Sequence, residues 1–180
     1  MHLAFLCFAH IVHSGRLRLP KLAVRKPGTT LGIAVVFFDL GDTLVTSDRH
    51  WISGAKLLLH SLRQAGLQLG IISNTGGLIN RADILKLLPP DFDLSAFEAN
   101  LTIFSSEVGK EKPRAEIFLE AVTRSGLPAT QCLYCSENIV ETLMAQDVGM
   151  RSVRVQSPSN NDLSALSLRI QEFQALSGPV

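Results

Sequence analysis

Residues 35–45 read Val35-Val36-Phe37-Phe38-Asp39-Leu40-Gly41-Asp42-Thr43-Leu44-Val45. An apolar, β-branched and aromatic run opening at Ile33 drives straight into an acid, a glycine, a second acid and a threonine. A continuous apolar run of this length predicts a strand buried on both faces, over 33–40. An unpaired buried carboxylate is costly. Asp39 therefore belongs at the strand's end, facing a cleft where a charge has a use.

Further along, Ile52, Ala55, Leu58, Leu59 and Leu62 recur at helical spacing over 51–65, and Gly66 closes that helix. The same reading gives a strand over 67–72 ending at Ser73-Asn74 and a helix over 78–88 stopped by Pro89-Pro90. A short strand follows at 101–104, then a helix over 114–125 ahead of Gly126. A strand over 131–135, a helix over 139–148, a strand over 151–155 and a helix over 163–176 complete the order, with 156–162 as a polar loop. Alternation of this kind predicts an α/β fold on a parallel sheet with helices on both faces.

The chain has 180 residues, 46% of them apolar, which suits one folded domain. A net charge of +1 gives no nucleic-acid footprint. The charge is uneven: five of the 17 basic residues and none of the 16 acidic ones lie within 1–38, so the remainder carries −4. The opening MHLAFLCFAHIVH is too short to span a bilayer, which takes roughly 20 residues, and it lacks the charged start of a secretory signal. Residues 1–30 are expected to be an extension ahead of a domain over 31–180; an organelle-targeting leader is the alternative. Three cysteines argue against a disulfide scaffold and for a reducing, cytoplasmic setting. Cys132 and Cys135 spell C-x-x-C, but residues three apart on a strand face opposite sides and no second pair completes a zinc site.

In parallel α/β sheets ligands bind beyond the carboxyl ends of the strands. Those ends carry Asp39–Thr43, Ser73–Gly77, Ser105–Lys112 and Ser136–Glu141. Carboxylates, hydroxyls and one lysine beside a proline suit a phosphoryl group with a hard cation.

With these four segments in order, the chain resembles the haloacid dehalogenase-like superfamily of phosphohydrolases. The segments are Asp39-Leu40-Gly41-Asp42-Thr43, Ser73-Asn74, Lys112-Pro113, and Ser136-Glu137 through Glu141 to Gly149-Met150. The resemblance covers about 33–155. It implies a three-layer, Rossmann-like domain and a Mg²⁺-dependent phosphatase working through an aspartyl-phosphate on Asp39. Splitting one hard displacement into two easier ones is the use of such a nucleophile. It implies Thr43 positioning the nucleophile loop, Ser73 touching the phosphoryl group with Asn74 and Thr75 as substrate contacts beside it, and Lys112 balancing charge. The metal set it implies is Asp39, the Gly41 carbonyl, Glu137 and Glu141.

Two departures stand out. The family's phosphatases usually place an acid–base Asp where Gly41 stands, and the acid here comes one residue later. Asp42 is either that acid–base group or the cap of the following turn. In the last segment the usual two Asp positions fall on Ser136 and Glu141, with Glu137 the nearest alternative for the first. Both glutamates could instead be helix-start surface residues, where the macrodipole favours them. A dehalogenase would usually carry an aromatic at Gly41.

Only 34 residues separate Asp39 from Ser73, which leaves no room for a large cap domain. An open site goes, in the family, with large phosphorylated substrates or with a second subunit as lid, a homo-oligomer among the options. The segment 46–51, with Arg49 and His50, becomes the expected flap and substrate contact, while Trp51 is expected to pack inward. The alternative to an enzyme is a catalytically weak or inactive member that binds a phosphorylated ligand or a protein partner.

Overall fold

The computed structural model describes residues 32–155 together with Leu163, Leu166 and Ile170. Five parallel strands form one sheet: β1 (Val35–Phe38), β2 (Gln68–Ser73), β3 (Thr102–Phe104), β4 (Cys132–Ser136) and β5 (Arg151–Arg154), in the order β3-β2-β1-β4-β5. β1 is central, and Phe38 lies in register with Ile71 on one side and Cys135 on the other. All four of its residues are buried, as a run without alternation requires.

The strand pleat sorts the core into two layers. Val36, Phe38, Leu69, Ile71, Leu133 and Cys135 pack with Leu58, Leu59 and Leu62 of α1 (Ala55–Gln64). Val35, Phe37, Ile72, Cys132 and Tyr134 pack with Ile117, Phe118 and Ala121 of α4 (Ala115–Ser125) and Ala145 of α5 (Ile139–Asp147). This is the expected α/β sheet with helices on both faces. Cys132 and Cys135 fall in different layers as buried thiols that form no disulfide among the described residues, so the C-x-x-C pattern is core packing.

Three boundaries differ from the sequence reading. α1 starts at Ala55 because Gly54 takes a left-handed turn (φ 76°) and Trp51 pairs with Val45 instead of joining the helix. The helix expected over 78–88 is only α2 (Arg81–Leu85), because Asn80 caps it by accepting from the Asp83 N–H. Residues 105–108 form a short helix, α3 (Ser105–Val108), in a stretch read as loop. Trp51 is half-buried and stacks on Phe92 at 5.0 Å between ring centres. Leu163, Leu166 and Ile170 are buried in the α1 layer, and the Leu163 N–H donates to the Ser53 carbonyl. The rest of the expected 163–176 helix, the 156–162 loop and the 1–30 extension lie outside the described residues.

Gly70 marks the tightest spot in the sheet. A Cβ there would lie 2.5 and 2.6 Å from ring carbons of Phe37 and 2.8 Å from the Leu101 carbonyl oxygen. Phe37 is fully buried and cannot swing away. Gly70→Ala is therefore expected to destabilise the fold by about 1–3 kcal/mol, the usual cost of overpacking. A lower urea midpoint at unchanged slope would show it.

Candidate active site

Asp39 is the first residue beyond β1, anchored by its N–H to the Cys135 carbonyl at 3.0 Å. The chain then turns sharply, with the N–H groups of Thr43, Leu44 and Val45 all directed at the Leu40 carbonyl. Asp39 is buried, and Lys112 Nζ lies 2.7 Å from its Oδ1. Burial drives the Asp39 carboxyl up to about 6; Lys112 pulls the other way, and the neighbouring Glu141 and Glu137 add to the rise.

Lys112 stands at the centre of a buried network. Its Nζ also reaches Glu141 Oε2 at 2.9 Å and donates to the Tyr134 hydroxyl at 3.1 Å. Tyr134 in turn donates to Glu141 Oε2 at 2.6 Å. Ser136 Oγ lies 3.1 Å from Glu141 Oε2 and 3.2 Å from Glu137 Oε2, one proton serving both. Burial, then the charges of Asp39 and Glu141, hold the Tyr134 hydroxyl well above its usual pKa, so it stays a neutral donor. The Lys112 main chain is fixed separately: its N–H donates to Asn74 Oδ1 at 2.9 Å and its carbonyl accepts from Asn74 Nδ2 at 3.0 Å.

Thr43 Oγ1 donates to Glu137 Oε2 at 2.7 Å and accepts from the Glu137 N–H at 3.2 Å, tying the loop after β1 to the loop after β4. Asn138 caps α5 behind it, accepting from the Val140 N–H. Ser73 is buried, and among the described residues its hydroxyl bonds the Asn74 carbonyl at 3.3 Å. Thr75 points its N–H and hydroxyl at Ser105 Oγ, at 3.0 and 3.3 Å.

The structure thus brings Asp39, Thr43, Ser73, Asn74, Lys112, Glu137 and Glu141 to one end of the sheet. Two of the expected contacts do not join them. Asp42 is exposed in a left-handed turn (φ 55°), and its carboxylate makes no hydrogen bond or ion pair among the described residues. His50 is exposed and pairs with Asp48. Asn74 spends both side-chain groups on Lys112, which makes it a brace for the lysine instead of a free contact. Tyr134 was not singled out in the sequence. Its inward position follows from strand alternation, but its hydroxyl partners come from a loop and a helix that alternation says nothing about.

The donor set can be weighed for a hard cation. Among the described residues no three His, Cys, Asp or Glu side chains are gathered as a metal cage. Glu141 is committed to Lys112, Tyr134 and Ser136 through Oε2. Nothing described donates to Asp39 Oδ2, Glu137 Oε1 or the Gly41 carbonyl. Two carboxylate oxygens and a carbonyl suit Mg²⁺, which commonly takes one or two carboxylates and keeps several waters.

Beside this cluster lies a cavity of about 440 Å³ whose wall includes Leu40, Gly41, Arg49, Ser73 and Leu88. A larger one, about 590 Å³, sits between α1 and residues 91–96; of the charged groups lining it, Lys56 and Asp91 pair with each other.

Residues 44–155 match the family model described as haloacid dehalogenase-like hydrolase. The chain belongs to this family. The match opens five residues after Asp39, so β1 and Asp39 lie outside it. Curated relatives of this haloacid dehalogenase-like chain include Protein CbbY of Rhodobacter capsulatus. It is 28% identical over 127 residues, covering 69% of this chain and 54% of the relative. A phosphoglycolate phosphatase of Xanthomonas campestris pv. campestris is 27% identical over 146 residues, covering 81% and 57%. The chain therefore spans about half the length of the curated relatives it matches.

Solved structures share the fold. An uncharacterized protein from Listeria monocytogenes serotype 4b has a TM-score of 0.64 at 20% identity, covering 79% of this chain and 99% of that one. A HAD family enzyme from Bacteroides thetaiotaomicron, in complex with magnesium and inorganic phosphate, has a TM-score of 0.59 at 18% identity, covering 75% and 99%.

Removing the Tyr134 hydroxyl tests the buried network. Tyr134→Phe is expected to cost about 1–3 kcal/mol of stability, the usual range for a buried hydrogen bond to a charged group. Thermal melts beside the wild type would read it.

Proposed function

We propose that the chain is a phosphoric monoester hydrolase, a phosphatase that works through an aspartyl-phosphate on Asp39 with Mg²⁺. The observation that carries this reading is the buried Asp39–Lys112 pair, 2.7 Å apart, opening beside Ser73 at the end of the central strand. A buried carboxylate held by a lysine at a strand end is costly to build for stability alone. It makes sense as a nucleophile awaiting an anion.

In this reading an oxygen of the Asp39 carboxylate attacks phosphorus. Lys112 Nζ balances the charge gathered between carboxylate and phosphoryl oxygens, held in place by Glu141 and Tyr134. The Ser73 hydroxyl donates to a phosphoryl oxygen. Thr43 and Glu137 lock together the two loops that flank the site. Asp39, Glu137 and the Gly41 carbonyl would hold Mg²⁺. When bound, that ion offsets the repulsion between anionic nucleophile and anionic substrate. Water then hydrolyses the acyl phosphate and returns the carboxylate. The phosphatase relative from Xanthomonas supports the reaction class.

A binding protein without turnover is the second reading. The glycine at 41 and the exposed Asp42 favour it, because no acid stands ready to protonate the leaving oxygen. Hydrolysis of phenyl phosphate by the purified chain, with Mg²⁺ and with chelator, separates the two. Turnover that needs Mg²⁺ and Asp39 supports the phosphatase; a folded protein with no turnover supports the binder.

A further inference from the structure

The 440 Å³ cavity beside Ser73 has a composition of its own. Leu40 and Gly41, the two residues after the nucleophile, form part of its wall, as do Ser73 and Asn74. Leu78, Ile84, Leu87 and Leu88 give it an apolar part, and among the described residues no carboxylate lines it. Leu87 is 59% exposed, so the mouth is apolar as well. One cation enters this wall. Arg49 sits at φ 66°, a left-handed conformation that non-glycine residues adopt rarely. The turn is held by the Arg49 N–H on the Thr46 carbonyl at 3.1 Å and the Thr46 N–H on the His50 carbonyl at 2.8 Å. Arg49 Nε donates to the Leu88 carbonyl at 3.2 Å. Its two terminal nitrogens engage nothing among the described residues.

We propose that this cavity holds the leaving group of the phosphate ester, and that this group is a phenol-type alcohol carrying a carboxylate that Arg49 grips. The proposal rests on the phosphatase reading and narrows its substrate class. Three observations converge. The volume is ample for an aromatic ring, since about 150 Å³ suffices for benzene. A cation in a wall that is mostly apolar, with neutral hydroxyls and an amide and no acid among the described residues, selects an anion on an apolar body. Gly41 supplies no general acid, and Asp42 is exposed in its turn. A phenol, with a pKa of about 10, leaves as phenolate without the proton that an aliphatic alkoxide requires.

The atoms balance. The phosphorus–oxygen bond to the phenol breaks as the bond from Asp39 forms. The phenolate departs and takes a proton from solvent. Water attacks phosphorus, freeing the Asp39 carboxylate and inorganic phosphate.

The test compares 4-carboxyphenyl phosphate, phenyl phosphate and glycerol 1-phosphate on the full chain, on Arg49→Gln and on Leu87→Ser. In the wild type kcat/KM is expected to fall in that order. The carboxyphenyl-to-phenyl ratio should be at least roughly tenfold and approach one in Arg49→Gln, as loss of a charged hydrogen bond implies. Leu87→Ser, at an exposed position that folding tolerates, should lower both aryl esters relative to glycerol 1-phosphate. Equal hydrolysis of all three, unmoved by either variant, overturns the proposal and leaves the phosphatase standing. If no ester is hydrolysed, the phosphatase reading fails and calorimetric titration with 4-hydroxybenzoate decides the cavity. Binding weakened roughly tenfold in Arg49→Gln upholds the ligand class, and no binding to the wild type ends it.

Discussion

Asp39→Asn is expected to lower phenyl phosphate turnover by on the order of 10³-fold or more, because an amide cannot form the acyl phosphate and no neighbouring carboxylate takes its place. Glu141 and Glu137 are the nearest acids, and hydrogen bonds within the network hold both. The fold should survive, since Lys112 keeps Glu141 as a partner. Stability offers an independent check. The Asp39 carboxyl titrates near 6 when folded against an ordinary 3.8. The folded chain therefore holds a proton over that interval which the unfolded chain has lost. Stability from this group is present below pH 4 and lost as the pH rises towards 6, roughly 3 kcal/mol in all. Asp39→Asn removes that dependence. In chelator, the variant should gain on the wild type between pH 4 and 7 in denaturant melts. A parallel pH dependence in the two proteins would argue against a buried Asp39.

Lys112→Met is the second large effect. It leaves Asp39 and Glu141 buried together with no cation, and breaking a buried pair from one side costs about 3–5 kcal/mol. The loss has a direction in pH. Without the lysine, which pulls the Asp39 carboxyl down, Asp39 holds its proton to higher pH, so the variant is closest to wild type in acid and loses ground as the pH rises through neutrality. The double change Lys112→Met with Glu141→Gln should recover part of the deficit. Turnover should vanish in both, since neither carries a cation for the phosphoryl oxygens. Urea titrations at pH 5 and 8 would distinguish this outcome from a simple packing defect, which would be the same at both.

Much of this arrangement was legible because it is local. The run 33–38 could only be a central strand, and an acid at its end had to face a cleft. Ser73 and Lys112 were found the same way, as polar residues punctuating apolar elements. What escaped depends on distance along the chain. Tyr134 meets Lys112 and Glu141 across separate elements. Thr43 meets Glu137 across 94 residues. The short α2 escaped because Asn80 caps a pattern whose apolar periodicity suggested a longer helix. Arg49 was named as a contact, but its left-handed turn and its bond to the Leu88 carbonyl depend on backbone geometry that residue types do not encode.

The strand order also governs when the site comes into being. β1 pairs with β2 about 30 residues later, but its other neighbour is β4, with Val35 in register with Cys132. A ribosome releasing the chain exposes Asp39 early. Lys112 follows only after another seventy or so residues, and Glu137 and Glu141 come later still. Non-local pairings of this kind are slow to close, because loop entropy must be overcome before any contact rewards it. A nascent chain halted near residue 125 would carry Asp39 on a strand with one open edge and the Glu141 and Tyr134 side of its network missing. In the phosphatase reading the site is complete only once α5 has emerged, since Glu141 is the late acid that holds the Lys112 ammonium beside Asp39.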